Sequence, residues 1–505
     1  MDPARSFSRR QVLAAGGAMA TLIALDACTS GTKPVTRTIG ASGPEVAAAE
    51  SRRRAPQARV VAASLLACPV RVDLGGPVVS TWAYGGSVPG RPLRATAGDV
   101  LKVTVRNGLP QDTSVHWHGL ALRNDMDGVP GVTQEAIRPG ASMTYEFALA
   151  HPGTYWFHPH VGTQLDRGLY APLIVDDPRE PGRYDAEFTV VLDDWLDGTG
   201  RTPDGVLTEL RRGMGGMDMG DGSMAGMQMA RSDALGGDAG DVTYPLHLVN
   251  GRVATAPTTL SARPGQRIRL RIVNAGGDTA YRVALGGHRL TVTHTDGFPV
   301  RPVTVDALLI GMGERYDVVA TVGDGVFPLV AVAEGKNSQG LALVRTGTGR
   351  APDARVRPAQ LGGRLLRLDD LRAADAVRLP AKAPDRTHEL LLGGDMASYT
   401  WKINGKTYDQ SSPLPAQSGE TVRLRFVNQT TMFHPMHVHG HTFQIRGRSG
   451  QDGPRKDTVI VRPQETVTAD LVADNPGQWL THCHNIYHAE AGMMVRLSYQ
   501  RAGGS

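Results

Sequence analysis

The sequence predicts an all-β protein built from three consecutive β-sandwich units. Three observations carry this expectation. Short runs rich in Val, Ile, Leu and Thr are split by Gly, Pro, Asn and Asp, with Gly 61 and Pro 33 among 505 residues; that is the pattern of antiparallel sandwiches. The body lacks helical periodicity. One strand pattern occurs three times: "AGDVLKVTVRN" ending at Asn107, "PGQRIRLRIVN" ending at Asn274 and "SGETVRLRFVN" ending at Asn428. Each copy has Gly nine residues before the Asn and alternates apolar with polar residues, as a half-buried strand does.

Charged residues make up 20% and hydrophobic ones 41%, ordinary for a folded soluble protein. The net charge of +5 is mild and sits partly in the N-terminal segment. With no interleaving of aromatic and basic residues, nucleic acid is not expected as a partner.

Taken in chain order, the first element is an address. "SFSRRQVL" (residues 6–13) precedes the apolar run "AAGGAMATLIAL", too short to span a bilayer comfortably. Arg9 and Arg10 resemble a twin-arginine export signal, and the run ends in "LDAC". Cys28 there resembles a lipoprotein acylation site, although Asp26 is atypical; signal cleavage further on is the plainer alternative. An exported, extracytoplasmic protein follows, attached to the cell envelope if Cys28 is lipidated. Residues 29–57 read as a loose tether. Cys68 reads as a buried thiol whose only role is packing.

The first sandwich unit is placed at 58–177, ending in "LIVDDP". Nine residues after Asn107 stands "HWHG", His116 to Gly119, and "PGTYWFHPH" later supplies His158 and His160. The second unit, 178–350, has the same scaffold with apolar residues at the matching positions: "VALG" from Val283 and "VAV" from Val330. It contains an insert, residues 213–229, "GMGGMDMGDGSMAGMQM", which holds six of the 16 Met: Met214, Met217, Met219, Met224, Met227 and Met229. Thioethers prefer soft Cu(I), so the insert reads as a Cu(I) collector; the bland alternative is a low-complexity surface insert. Residues 351–385 form a connector, with "LLRLDDLRAADAV" a short helix or a surface crossing. The third unit, 386–505, carries "HPMHVHG" from His434 and "HCHNIYHAEAGMM" from His482.

Units one and three therefore hold four matched His-x-His pairs. A lone pair on a strand is more often coincidence than ligand. Four at repeat-matched offsets, missing from the middle copy, point to metal, because clustered imidazoles without metal would need many hydrogen-bond partners. Along a strand, residues i and i+2 share one face. His482 and His484 thus face one way and Cys483 the other, which implies two sites joined by one strand. Cys483 with His434, His488 and Met493 makes a thiolate, two imidazoles and a weak thioether, the blue-copper electron-transfer set. The other site receives His116, His118, His158, His160, His437, His439, His482 and His484. Eight imidazoles suit a cluster of ions, and zinc alone does not suit the thiolate set.

"HWHG", "HPH", "HPMHVHG" and "HCHNIYHAEAGM" together resemble the four copper signatures of the three-domain multicopper oxidases, which include laccases, copper-resistance oxidases and cuprous oxidases. "YHAEAGM" and the lipoprotein-like start look most like exported copper-tolerance oxidases of actinobacteria. The resemblance implies three cupredoxin-like Greek-key β-sandwich domains and four copper ions. It implies a type 1 copper on His434, Cys483, His488 and Met493, and a type 2 copper on His116 and His437. One type 3 copper would lie on His118, His158 and His484, the other on His160, His439 and His482. Electrons from Cu(I) or phenolic donors would enter at the type 1 ion and cross the "HCH" tripeptide, ~3.5 Å per residue, to reduce dioxygen to two waters. Asp127, in "NDMDGVP", matches a family carboxylate that delivers protons; a solvated turn aspartate is the alternative. A second family acid follows the last type 1 His directly. Here that place is Ala489, with Glu490 next, so Glu490 is the candidate. The expected function is a copper-tolerance oxidase with laccase-like side activity. A laccase acting mainly on phenols and aromatic amines, or a non-catalytic copper-binding protein, are the alternatives. A copper nitrite reductase is disfavoured, because one chain here contains all the pairs, so a monomer suffices. His441, beside the ligands in "HGHTF", could support them; the remaining histidines read as structural.

Overall fold

A computed structural model describes residues 37–180, 182–212, 230–447 and 452–501. The twin-arginine segment, Cys28 and the Met-rich insert lie outside the described residues. Strands dominate, and each sandwich unit is two packed sheets. The first unit pairs a sheet ordered Val78–Tyr84, Val60–Asp73, Val100–Asn107, Ser142–Ala148 with a second ordered Leu93–Thr96, Ala171–Asp176, Gly153–His158, His116–His118. The second unit stacks seven strands on five, and the third six on five.

The thrice-repeated strand plays one role in all three units. Val100–Asn107 runs parallel to Val60–Asp73 and antiparallel to Ser142–Ala148. Arg267–Asn274 sits in the same way between Ala186–Trp195 and Arg315–Thr321, and Thr421–Asn428 between Arg386–Asp395 and Thr466–Val472. The terminal Asn explains why that residue recurs. Its buried amide donates to two main-chain carbonyls beyond the strand: Gln111 and Ile137 for Asn107, Thr279 and Ile310 for Asn274, Met432 and Val461 for Asn428. Its carbonyl accepts the N–H two residues on. These bonds satisfy the backbone where the chain leaves the sheet. In the middle unit Val283 and Val330 lie in the apolar core, so the histidine positions there are packing positions.

Two expectations need correction, and a third resolves between its two alternatives. The stretch expected as a loose tether contains the helix Pro44–Arg53, with Pro at the first position, Glu45 in the first turn and Arg52 and Arg53 in the last. It docks through buried Val46 and Ala49; Glu50 accepts from Ala148 N at 2.8 Å, and Arg53 donates to Asn475 at 2.9 Å. Cys68 is half-buried, not buried, on the strand Val60–Asp73, with Sγ 3.6 Å from Gly85 O. The connector is a surface crossing made of 3-10 turns. Leu366 and Leu371 enter the second unit's core, and isolated bridges join Leu365 to Ala307 and Ala373 to Val300.

Candidate metal centre

The two expected nests share the strands His434–Val438 and Gln478–Cys483 and differ in what else builds them. His434 begins the strand His434–Val438, which pairs antiparallel with Gln478–Cys483 and sets Met436 opposite Cys483. His488 lies on the short helix Ile486–Glu490, whose N-cap Asn485 accepts from Tyr487 N and His488 N. The result places Cys483 Sγ 3.6 Å from Nδ1 of both His434 and His488, with the two Nδ1 atoms 3.1 Å apart. Each imidazole is held from behind through Nε2: His434 by Thr430 Oγ1 at 2.9 Å and His488 by Asp241 Oδ2 at 2.9 Å. Trp401 packs over His488 with ring centroids 4.0 Å apart. Met493 is buried in the same core as Cys483, and its carbonyl accepts from Cys483 N at 3.1 Å. Burial pushes the Cys483 thiol up, and Asp278 and Asp241 push the same way. A thiolate at this position therefore calls for a bound cation.

The second nest straddles the joint between the first and third units. His116 stacks on His439 with ring centroids 3.7 Å apart, and His118 on His437 at 3.8 Å. His160 lies 5.1 Å from His439 and 5.2 Å from His482; His484 lies 4.9 Å from His118 and 5.3 Å from His158. The joint is pinned by the Asn124 side chain, which exchanges hydrogen bonds with the main chain of Gln478 at 2.6 and 2.8 Å.

Hydrogen bonds set which nitrogen of each ring is left free. His116 Nδ1 donates to Asp127 O at 2.9 Å, His158 Nδ1 to Pro159 O at 2.8 Å, His437 Nδ1 to Asp457 O at 2.9 Å and His482 Nδ1 to Cys483 O at 2.8 Å. His439 Nδ1 donates to the Asp127 carboxylate at 2.8 Å. His118 is held the other way, through Nε2, by Asp457 Oδ1 at 3.2 Å. The inward nitrogens of His116, His118, His158 and His437, and both of His484, are buried without a hydrogen-bond partner. Orphaned buried acceptors are costly, and several aimed into one region are what a metal cluster requires. Burial, reinforced by mutual repulsion, holds His158, His160, His439, His482 and His484 well below the usual imidazole range, so they stand neutral.

Among the described residues, four triads of His and Cys have ligand atoms within 4.8 Å of one another, His434–Cys483–His488, His160–His439–His482, His116–His118–His158 and His116–His437–His439, and a fifth group joins the Asp457 carboxylate to His118 and His437. The first two coincide with sets expected from the sequence. In the other two triads His116 reaches both pairs, while His484 stands slightly apart from His118 and His158. The Cys, His and Met donors of the first nest suit copper, and the imidazole-only joint accepts the same metal.

Asp127 is fully buried and touches His116 and His439 rather than lying in a solvated turn. Glu490 lines a small cavity together with His158, His160, His482 and His484, and also lines an outer depression with Arg211, Tyr399 and Asp409. Burial raises its carboxyl above the ordinary range. His441 backs His439, donating Nδ1 to His439 O at 3.0 Å, with Nε2 2.7 Å from Tyr499 OH. His247, buried against Tyr281, and His388, which bonds Pro415 O, stay outside both nests. Thr430, Asp241, Trp401 and Asp457 were not expected at the site. No repeated spacing marks them, and most meet their histidine only in the folded chain.

Multicopper oxidase family models match residues 70–180, 216–349 and 380–502. The chain is 51% identical to the multicopper oxidase MmcO of Mycobacterium tuberculosis over 98% of this chain and 97% of that one. It is 28% identical to a copper resistance protein A homolog of Pseudomonas syringae pv. tomato, covering 84% of this chain and 90% of the relative. A crystal structure of a multicopper oxidase from Pseudomonas thermotolerans superposes with a TM-score of 0.68 at 30% identity, covering 88% of this chain and all of the other.

Proposed function

The chain belongs to the multicopper oxidase family, and we propose that it oxidises Cu(I), and phenols at the same entry point, in the service of copper tolerance. It is an oxidoreductase that uses dioxygen. The ligand sets are those the family resemblance implies, and the triads His434–Cys483–His488 and His160–His439–His482 support two of them. Cys483 Sγ, His434 Nδ1, His488 Nδ1 and Met493 would hold a type 1 copper. His116 and His437 would hold a type 2 copper. His118, His158 and His484 would hold one type 3 copper, and His160, His439 and His482 the other. When bound, these coppers supply the one-electron storage that lets dioxygen take four electrons to water. The chain's own contribution is to bind, orient and deliver protons. Cys483 lies between two joint ligands, so the main chain itself links the nests. Asp127 keeps the Nδ1 proton of His439 on its carboxylate and stands ready to pass protons into the joint. Glu490 borders both the outer depression and the inner cavity, which supports it as the second relay in place of Ala489.

The observation that carries the donor assignment is the anchoring of the residues flanking the Met-rich insert. On one side Arg211 donates to Glu490 O at 2.5 Å. On the other Asp241 bonds His488 at 2.9 Å. Described residues on both sides of the insert thus touch the helix that carries His488, which supports a role for the insert's six thioethers in collecting a soft Cu(I) donor. The N-terminal address supports export with lipidation at Cys28. Among the described residues no helix is long and apolar enough to cross a membrane.

Copper-loaded protein is expected to hold about four coppers per chain and to show a strong blue band. It should consume oxygen with Cu(I) and with a phenol. A colourless protein that binds copper yet consumes no oxygen with any donor would be a store, and the reading would end there. Deleting residues 213–229 should depress Cu(I) oxidation far more than phenol oxidation; equal losses would remove the collector role.

A further inference from the structure

The middle unit supplies no expected ligand, yet it reaches the joint. Its turn between Leu308–Ile310 and Arg315–Thr321 presses on the histidines so closely that a Cβ on Gly313 would overlap the His484 ring and stand 3.0 Å from His118 Cε1. Two residues on, Arg315 is fully buried and its guanidinium joins all three units. Nε donates to Thr154 O of the first unit at 3.0 Å, in the strand that carries His158. Nη1 donates to Gly313 O at 3.0 Å and to Asp457 Oδ1 at 2.7 Å, and Nη2 to Asp457 Oδ2 at 2.6 Å.

Asp457 is the residue that sets two ligands. Its main-chain oxygen takes the Nδ1 proton of His437, leaving Nε2 free. Its Oδ1 takes the Nε2 proton of His118, leaving Nδ1 free. His116, His158 and His437 give their Nδ1 protons to main-chain oxygens, so the reversed orientation of His118 depends on this carboxylate and on Thr458 Oγ1, which lies 3.1 Å from His118 Nε2 and itself donates to Asp457 Oδ1 at 2.8 Å. A two-pronged guanidinium fixes the carboxylate plane and compensates its buried charge. Gly119, next to His118, leaves room for the pair: a Cβ there would overlap Arg315 Nη2.

We infer that Arg315, from the unit without ligands, is a positioning residue for the metal joint: through Asp457 it sets which nitrogen of His118 faces the metal. This rests on the reading that the joint holds copper. A purely structural role is the competing account, because a neighbouring buried ion cluster shares Asp296 with this one, its Oδ1 3.6 Å from Arg315 Nη1. There Lys456 Nζ lies 3.1 Å from Asp296, 3.1 Å from Glu314 and 2.7 Å from Thr295 Oγ1. Lys456→Met is therefore the control. It weakens the same interface without touching the Asp457 carboxylate.

The test compares full-length, copper-loaded wild type, Arg315→Met, Arg315→Lys and Lys456→Met by copper content, visible and near-ultraviolet absorption, electron paramagnetic resonance and thermal unfolding. Arg315→Met is expected to keep the blue band, whose ligands lie wholly in the third unit. It should bind joint copper about 10–100-fold more weakly, the usual cost of losing a residue behind a ligand. Arg315→Lys, which keeps the charge and loses the fork, should fall between, and it carries the test if Arg315→Met does not fold. Lys456→Met should lower the unfolding temperature with the joint fully occupied. Full joint copper in the Arg315 variants, or equal depletion in Lys456→Met, would overturn the inference. A wild type without a blue band or joint copper would instead sink the underlying copper reading.

Discussion

Cys483 is the one residue on which the two nests depend in different ways. Its sulfur belongs to the first, and its neighbours on either side belong to the second. Cys483→Ser should therefore abolish the blue band and reduce oxygen uptake to background with every donor, while joint copper stays, as absorption and metal analysis together would show. A second residue tests the electrostatics away from the metal. Burial, helped by Lys336, pushes His247 down to about 3. The unfolded chain binds that proton below roughly pH 6.5, whereas the folded one refuses it until near pH 3. The unfolded state thus holds more protons throughout that interval, so folded stability is intact above pH 6.5 and declines as pH falls towards 3, by up to about 5 kcal/mol. His247→Gln should flatten this decline by close to one proton, measured from urea unfolding at several pH values. Twelve candidate ligands could be read from the sequence because each sits in a spaced motif. Asp241, Asp457 and Arg315 could not, since Asp241 meets His488 across 247 residues and Asp457 meets His118 across 339, with no local pattern to mark them.

The recurring element is the strand that ends in a buried Asn. Because Asn274 lies in the unit without ligands, its contribution to folding can be measured apart from copper. Asn274→Ala strands the carbonyls of Thr279 and Ile310 and the N–H of Gly276. A loss of roughly 2–3 kcal/mol is expected, with the absorption spectrum unchanged; a spectral change would mean that the middle unit transmits strain to the joint more widely than through Arg315. These strands were legible because alternation, the leading Gly and the closing Asn all pointed the same way. The helix Pro44–Arg53 was not: "PEVAAAESRR" is short and follows a polar run, and its order comes from docking Glu50 and Arg53 onto units one and three. The connector stayed open between a helix and a surface crossing. Its Arg- and Ala-rich composition allows a helix, but Leu366 and Leu371 are drawn singly into the neighbouring core, which leaves room only for 3-10 turns.

Across the whole molecule the two nests differ in what they connect. The first draws its candidate ligands from the third unit alone, with Asp241 of the second behind His488. The second takes His116, His118, His158 and His160 from the first unit and His437, His439, His482 and His484 from the third, so metal there is a cross-link between the chain's two ends. Binding that favours only the assembled state adds its free energy to the joint, about 2.7 kcal/mol for each site at a hundredfold excess over its dissociation constant. The three sites proposed for the joint would far exceed what the Asn124–Gln478 contacts supply alone. Removing all copper should therefore lower the unfolding temperature by many degrees, at roughly 2–4 °C per kcal/mol for units of this size. It should also separate unfolding of the first unit from that of the third. His434→Ala, which empties only the first nest, should leave a single coupled transition. His482→Ala should split it even in copper-loaded protein, because that ring closes the triad with His160 across the joint. Calorimetry of the three samples decides the matter: a single transition in the metal-free protein would show that the units are joined by packing alone, with copper a passenger in the interface.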